Sequence, residues 1–344
     1  MIHFIPLENL EERYTTLMNN IVNDSGLVKS YYPKDWETAQ INKGEFLDIE
    51  RTIEFKAKQL ILISKAFQKG EIKNGDWIFF ADIFFQGMES VKYMAELQGI
   101  KINVAGFNHA GRADKTDFVQ QLGQWADQSE KAYHDVCDII FVGSQFHKHR
   151  ISEYFYINKD KIKVTGCVWN STEAYKVYPI KHEKEDFVIF PHRLSKEKGV
   201  DDLLEIATKL PNKRFIITSS SNKELTTDLP ENVLYVNNLT KKEYYKYLSK
   251  AKYYLSTAYQ ETFGYTLREA LMYDCRIVAP NDLCYTEMLP KECLYDRGDI
   301  QTISKYLNDD LVISSKWNKL YDNSFYDMIK ELTWKEKVIG TVKK

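Results

Sequence analysis

The chain of 344 residues and 40.4 kDa, 44% hydrophobic and 28% charged, is long enough for two cores and lies outside the composition of disordered or collagen-like chains. Its formal charge of −2 divides into 20 Lys/Arg against 23 Asp/Glu over residues 1–170 and 27 against 26 over 171–344. Neither half therefore carries the bulk positive field of a tight non-specific nucleic-acid or anionic-membrane binder. Only four of the 15 glycines lie beyond position 170 (Gly199, Gly264, Gly298 and Gly340), which excludes a glycine-rich phosphate loop from that half.

The first residues, MIHFIPL followed by Glu8, Glu11 and Glu12, lack the basic and long apolar regions of a signal peptide. The richest apolar run, 77–85, is short and broken by Asp82, so no integral membrane association is expected. Five cysteines with no C-x-x-C spacing suggest neither a disulfide framework nor structural zinc and fit a reducing, cytoplasmic setting. Short β-rich runs alternate with amphipathic helical stretches, the pattern of an α/β protein with parallel sheets. Strands are predicted at 2–5, 77–81, 102–107, 139–142 and 162–164, with helices near 53–67 and 89–97. Loops after the C-terminal ends of such strands line the binding crevice, which singles out Asp82, the NHAGRAD segment at 108–114 and Ser144.

Hydrophobic periodicity lapses between Ser171 and Asp186, and residues 173–186 read as a linker between a first domain, 1–172, and a second, 187–325. In the second, strands are predicted at 187–190, 215–218, 233–236, 253–256 and 276–279. The stripe Val200, Leu203, Leu204, Ala207, Leu210 marks a helix ending before Pro211. Residues 326–344 form a last helical segment.

Two segments of the second domain concentrate polar chemistry. FPHRLSKEKG at 190–199 places Arg193 and Lys198 around a strand end and a helix start, where an anion is welcomed by the helix N-terminus; alone, it would also read as a solvated charged turn. In QETFGYTLREAL at 260–271, Leu267, Ala270 and Leu271 form a buried stripe, Glu261 lies on the entering loop and Glu269 one turn into the helix. The first-turn N–H groups of Gly264, Tyr265 and Thr266 could take a phosphate between two carboxylates that accept from hydroxyls, which suits a diphosphate flanked by polyols. Alone, Glu269 would also read as a helix surface charge.

Together, HRLSKEKG, ETFGYTLRE and the following ALMYDCRIVAPNDLCYTEMLP resemble the nucleotide-binding domain of retaining GT-B glycosyltransferases of the group 1 or family 4 type, well over about 186–300, and LTWK at 332–335 resembles that family's closing helix. The resemblance implies two Rossmann-like α/β domains facing a central cleft, with a hinge whose closure expels water. It also implies sugar transfer from a nucleotide-diphosphate sugar, with a UDP-sugar as the expected donor, to an acceptor hydroxyl with retention of configuration. By that resemblance Arg193 and Lys198 grip the diphosphate, Glu269 holds the ribose and Glu261 meets the sugar, while backbone amides of Phe263, Gly264, Tyr265 and Thr266 hold oxygens. Glu261, His109, Arg193 and Lys198 form the expected catalytic set, His109 as a donor-sugar contact from the first domain. The resemblance also implies that no metal is required, and consistently the chain has no D-x-D; His147-x-His149 lacks a third ligand.

The chain departs from the family pattern at Pro6–Asn9, where a glycine-bearing loop would be usual, and at Ser219-Ser220-Ser221-Asn222 in place of G-x-G, where Ser219 could still serve the donor. Asp82, Arg112, Asp114 and Lys115 are the acceptor-side candidates, an aspartate there being able to orient or deprotonate a hydroxyl. The stretches WIFFADIFFQGMES and GFNHAGRADKTDF faintly resemble phage-encoded glycosyltransferases of hydroxymethylated DNA bases, and FHKHR at 146–150 with Lys159, Lys161 and Lys163 offers a local basic edge. A glycan, a polyol and hydroxymethylated DNA stay open as acceptors. Another GT-B activity, an epimerase or phosphorylase, and a non-catalytic nucleotide-sugar or nucleic-acid binding module stay open as functions.

Overall fold

A computed structural model describes residues 1–9, 14–36, 48–177, 179, 182–219, 228–309 and 315–342. They form two compact units, one holding the described residues up to Asn170 and again from Asn323 onward, the other those within Ser171–Asp322.

The first unit runs β1 (Ile2–Ile5), α1 (Tyr14–Asp24), β2 (Lys29–Ser30), α2 (Ile49–Gln68), β3 (Trp77–Phe80), α3 (Met88–Leu97), β4 (Asn103–Asn108), α4 (Trp125–Val136), β5 (Ile139–Val142), α5 (Gln145–Phe155) and β6 (Ile162–Val164). Its six strands are parallel in the order β2-β1-β3-β4-β5-β6. The runs IHFI, WIFF and IIFV are buried at every position, as a sheet with both faces covered requires. His3 is the polar exception, and it is satisfied by Tyr31 OH at 2.8 Å and Asp76 Oδ2 at 3.1 Å.

The second unit runs α6 (Ser171–Val177), β7 (Glu185–Phe190), α7 (Val200–Lys209), β8 (Arg214–Thr218), β9 (Val233–Val236), α8 (Lys241–Lys250), β10 (Ala251–Leu255), α9 (Tyr265–Met272), β11 (Arg276–Pro280), α10 (Tyr285–Met288), β12 (Leu294–Tyr295), α11 (Ile300–Tyr306) and α12 (Ser315–Asn318). The last helix, α13 (Ser324–Val342), belongs to the first unit, where Ser324 Oγ accepts the Trp169 N–H at 3.0 Å. The second sheet is also parallel, ordered β12-β11-β10-β7-β8-β9. Its order reverses between β7 and β10, and that switch point is where the two polar motifs emerge.

Sequence expectation and structure differ at three places. The edge strands β2 and β12 have two residues each, too few for any periodicity to show. The expected linker opens as helix α6, a seven-residue element of the second unit whose mixed composition hides its single buried alanine, Ala174. Helix α13 starts at Ser324, two residues before the predicted segment.

Gly199 links β7 to α7 at φ +69°, and a Cβ there would stand 2.3 Å from the Thr257 carbonyl oxygen. Gly199→Ala is expected to cost about 2 to 4 kcal/mol, from left-handed strain plus overlap with backbone. Urea unfolding measures it; an unchanged midpoint would show that the turn relaxes around a methyl group.

Candidate functional site

At the switch point the turn after β7 and the loop after β10 are stitched into one body. Glu197 O accepts the N–H groups of Tyr259 and Gln260 at 2.8 and 3.1 Å. Thr257 Oγ1 lies 3.0 and 2.7 Å from the carbonyl oxygens of Lys198 and Gly199 and shares its one hydrogen between them. Arg297 lies over the Tyr259 ring at 4.1 Å and donates to the carbonyls of Thr257 and Ala258 at 3.1 and 2.5 Å. These bonds fix where Lys198 can reach: its ammonium donates to Gln260 O at 2.8 Å and to Glu261 Oε2 at 3.3 Å.

Glu261 in turn shapes the start of α9, because its Oε1 accepts the N–H of Gly264 at 2.9 Å and of Thr262 at 3.2 Å. Burial would raise its carboxyl, but the Lys198 ammonium and the Gly264 N–H outweigh burial and hold it below the usual carboxylate range. Gly264 itself sits at φ +77°. Its amide was expected to receive a phosphate oxygen, and Glu261 occupies it instead. Tyr265 and Thr266 follow in the first helical turn, with Thr266 Oγ1 at 3.1 Å from Tyr254 OH. The Phe263 side chain is core, packed on Tyr265 and Tyr321 with ring centroids 5.2 and 5.8 Å away.

Glu269 is not a surface charge. It is 6% exposed, and three donors hold it: Lys241 Nζ and Tyr245 OH reach Oε1 at 2.7 Å each, and Tyr244 OH reaches Oε2 at 2.8 Å. A carboxylate has about four acceptor positions, so a ligand hydroxyl meets an almost filled group. Arg193 bonds Glu197 Oε1 through its Nε at 2.9 Å, and its side chain is 45% exposed. Ser219 is buried after β8, its N–H on Val236 O and its carbonyl accepting from Leu239 N. Ser220, Ser221 and Asn222 lie outside the described residues.

In the first unit the loop candidates divide by use. His109 follows β4, its Nε2 donating to Ala81 O at 2.8 Å and its ring 4.4 Å from Phe107 and 5.6 Å from Tyr14. Burial lowers its pKa, with the Asp82 charge opposing, so a neutral imidazole stands there. Asp82 caps its own turn by accepting the Phe84 N–H at 3.1 Å. Arg112 staples its loop: Nε and a terminal nitrogen fork onto Asp127 at 2.9 and 3.1 Å, while the other terminal nitrogen serves the carbonyls of Val119, Gln120 and Leu122. Asp114 is buried and holds Thr116 Oγ1 at 3.4 Å, whereas Lys115 is exposed. Ser144 caps α5 through the His147 N–H.

The expected basic edge is largely turned inward. Lys148 donates to Ile162 O at 2.8 Å, Lys161 to His134 O at 2.6 Å, Arg150 to Ala113 O at 2.8 Å, and Lys163 faces Glu331 at 3.7 Å. His147 is buried, and burial pushes its pKa down to about 3. Among the described residues no three His, Cys, Asp or Glu side chains converge as metal ligands.

Sequence reasoning missed His192, Tyr254, Lys241, Tyr244 and Tyr245. His192 is buried beside Lys198, and burial, reinforced by that ammonium, pushes its pKa down to about 3; its Nε2 shares a hydrogen bond with Tyr254 OH at 3.1 Å. The signal for the tyrosines was present, since Tyr245 and Leu248 form the inward stripe of α8 behind its Thr240–Glu243 capping box.

Residues 171–323 match the family model described as glycosyl transferases group 1. The tRNA-queuosine alpha-mannosyltransferase of Drosophila melanogaster is 30% identical over 165 residues, a match spanning 44% of this chain and 42% of that protein's length. Sucrose-phosphate synthase from Thermosynechococcus elongatus superposes with a TM-score of 0.62 at 14% identity, over 99% of this chain and 97% of that one. HepE of Anabaena, in complex with UDP, superposes with a TM-score of 0.57 at 11% identity over 99% of both chains. The family match thus covers the second unit and under half of the chain, and the fold is the two-domain α/β fold of the GT-B type.

Lys198→Met removes the ammonium from a buried carboxylate and is expected to destabilise the protein by about 3 kcal/mol at neutral pH. Glu261 has a depressed pKa, so its contribution in the wild type is present above about pH 4.5 and is lost as the pH falls through its folded value. In Lys198→Met the sign reverses and stability recovers on acidification, while adding Glu261→Gln restores much of the neutral-pH loss. Urea unfolding at neutral pH and near pH 4 checks both; a uniform loss at the two pH values would sink the ion-pair account.

Proposed function

We propose that the protein is a glycosyltransferase that moves a sugar from a nucleoside-diphosphate sugar to an acceptor hydroxyl with retention of configuration. The observation that carries this reading is the Lys198–Glu261 pair, stitched at a sheet switch point within a group 1 glycosyltransferase domain. Lys198 lends a fixed positive charge to the departing diphosphate, where charge develops most in the transition state. Glu261, kept ionised by that same ammonium, accepts from hydroxyls of the transferred sugar. Arg193 is half-exposed and exchanges Glu197 for a phosphate oxygen as the donor enters. Glu269 takes the ribose by giving up one of its internal donors. UDP is the donor nucleotide we favour, since HepE has been solved with UDP and with UDP-glucose. No metal is needed, the diphosphate being met by side-chain cations.

For the acceptor, the Drosophila relative, named for a modified nucleoside of tRNA, favours a hydroxyl carried on a modified nucleoside in nucleic acid. A hydroxymethylated DNA base is the second reading, supported by the sequence resemblance at 77–90 and 106–118.

The test is nucleoside mass spectrometry of tRNA and of hydroxymethylated DNA after incubation with the protein and UDP- or GDP-hexoses in EDTA, alongside nucleoside-diphosphate release. A hexose mass increment on a tRNA nucleoside is expected. An increment on DNA alone moves the acceptor to the second reading, and donor binding without release under any condition makes the chain a binding module. Arg193→Ala is expected to lower kcat/KM by about 10 to 100-fold, the worth of a charge-assisted bond, without unfolding the protein. Glu261→Gln is expected to lower kcat by about 100-fold or more; a variant with wild-type turnover would remove Glu261 from the reaction.

A further inference from the structure

The segment that follows His109 fixes its backbone tightly and leaves its rings outside. Arg112 forks onto Asp127 and gives its other terminal nitrogen to the carbonyls of Val119, Gln120 and Leu122. The Gln120 amide donates back to the carbonyls of Arg112 and Asp114 at 2.8 and 2.7 Å, and Asp117 accepts the Val119 N–H at 3.0 Å. Residues 112–127 are thereby closed into one body at the C-terminal end of β4, the crevice side of a parallel sheet. Yet Phe118 is 45%, Leu122 37% and Trp125 61% exposed. The Trp125 indole rests against Gly123, where a Cβ would stand 3.5 Å from its Cδ1. Tyr154 of α5 reaches the same Asp127, its OH donating to Oδ1 at 2.8 Å from an exposed ring. One exposed ring needs no explanation, but several on a stapled loop make a patch of the kind that marks an interaction site.

The charge of the segment selects the ligand. Asp114 and Asp117 are buried, so within 115–126 no carboxylate is exposed and the exposed charge is the Lys115 ammonium. The other exposed polar groups there are neutral, the amides of Gln121 and Gln124 and the Thr116 hydroxyl. Lys148, Arg150 and Lys161 are bonded to carbonyls. A duplex or an anionic lipid surface is gripped through rows of cations, and this segment presents one. An unpaired nucleobase matches it better: a π face for the rings, edges for the amides, and a single flanking phosphate for the lysine.

We propose that Phe118 and Trp125, with Tyr154 at the margin, form a stacking platform for unpaired nucleobases, and that Lys115 meets a phosphate of the same strand. The platform holds the acceptor strand by its bases on the loop that carries His109. This deepens the nucleic-acid acceptor reading above and rests on it for its place in the reaction; base binding itself is measured without turnover.

The experiment is fluorescence anisotropy with labelled, unstructured RNA and DNA strands of about 12 nucleotides, and with an abasic strand of the same length. Wild type is expected to bind a base-bearing strand about tenfold or more tightly than the abasic one; the tighter of RNA and DNA names the source of the base. Trp125→Ala and Phe118→Ala are each expected to weaken that binding by about 5 to 100-fold and to leave the abasic strand unaffected, whereas Trp125→Phe, which keeps a ring, retains most of it. Lys115→Ala weakens every strand alike and makes the slope of log K against log salt shallower by about 0.7, the share of one phosphate. Thermal melting of these surface variants is expected to match wild type; if Phe118→Ala does not fold, the two Trp125 variants suffice. Equal binding of base-bearing and abasic strands, or wild-type binding by Trp125→Ala, overturns the proposal. So does a wild-type dimer that Trp125→Ala turns into a monomer with strand binding intact, since the face would then be a contact between copies. Calorimetry with UDP and UDP-glucose separates this proposal from the donor reading. Base-dependent binding through Trp125 without any donor binding defeats the glycosyltransferase reading and leaves the platform standing. Donor binding with strands held through phosphate alone does the reverse.

Discussion

Everything in the second unit that could handle a donor depends on one piece of backbone stitching, the docking of the turn after β7 onto the loop after β10. Parallel sheets leave adjacent strand ends side by side at a switch point, but adjacency alone does not position side chains to within a hydrogen bond. Here the Glu197 carbonyl, the Thr257 hydroxyl and the absence of a side chain at Gly199 close the gap. Lys198 is then held where its charge is most useful and most costly to remove, against a carboxylate in a low-dielectric recess. Glu261 passes the constraint onward by capping the Gly264 turn, so the start of α9 is set from the same place.

Much of this was legible before any coordinates. The buried central strands announced themselves as short apolar runs, and the pairing of Arg/Lys and Glu/Glu segments pointed to the loops that do meet at the switch point. What stayed hidden has a common physical cause: a side chain's use depends on partners distant in sequence. Glu269 carries no local mark of being enclosed by Lys241, Tyr244 and Tyr245, and His192 none of being a buried neutral imidazole that feels the Lys198 charge. The two-residue edge strands and the helix at 171–177 were beyond periodicity for the simpler reason of length or composition.

The first unit shows the converse case. Arg150, Lys148 and Lys161 look in sequence like a basic edge and Arg112 like an acceptor-side contact, yet each gives hydrogen bonds to carbonyl oxygens, and Arg112 also to Asp127. Long loops after parallel strands carry backbone carbonyls that no ladder satisfies, and a cation with several N–H groups is an efficient way to satisfy them. Charge counted from composition therefore overstates what such a surface offers to a phosphate backbone, and Lys115, which is exposed, differs in kind from its neighbours.

The enclosure of Glu269 has a consequence for ligand selection. If Glu269 meets the ribose as proposed, a carboxylate already bonded by an ammonium and two phenols has about one acceptor position left, so a pair of hydroxyls engages it only by displacing an internal donor. Apparent affinity is then the intrinsic affinity scaled by the fraction of molecules in which the exchange has occurred. A bare anion gains nothing from that exchange, because it has no hydrogen to offer the carboxylate. A pair of neighbouring hydroxyls, which can replace two donors at once, gains most. Under that proposed role, helix α8, which supplies all three internal donors, is the part of the fold that would distinguish a nucleoside from inorganic phosphate or pyrophosphate.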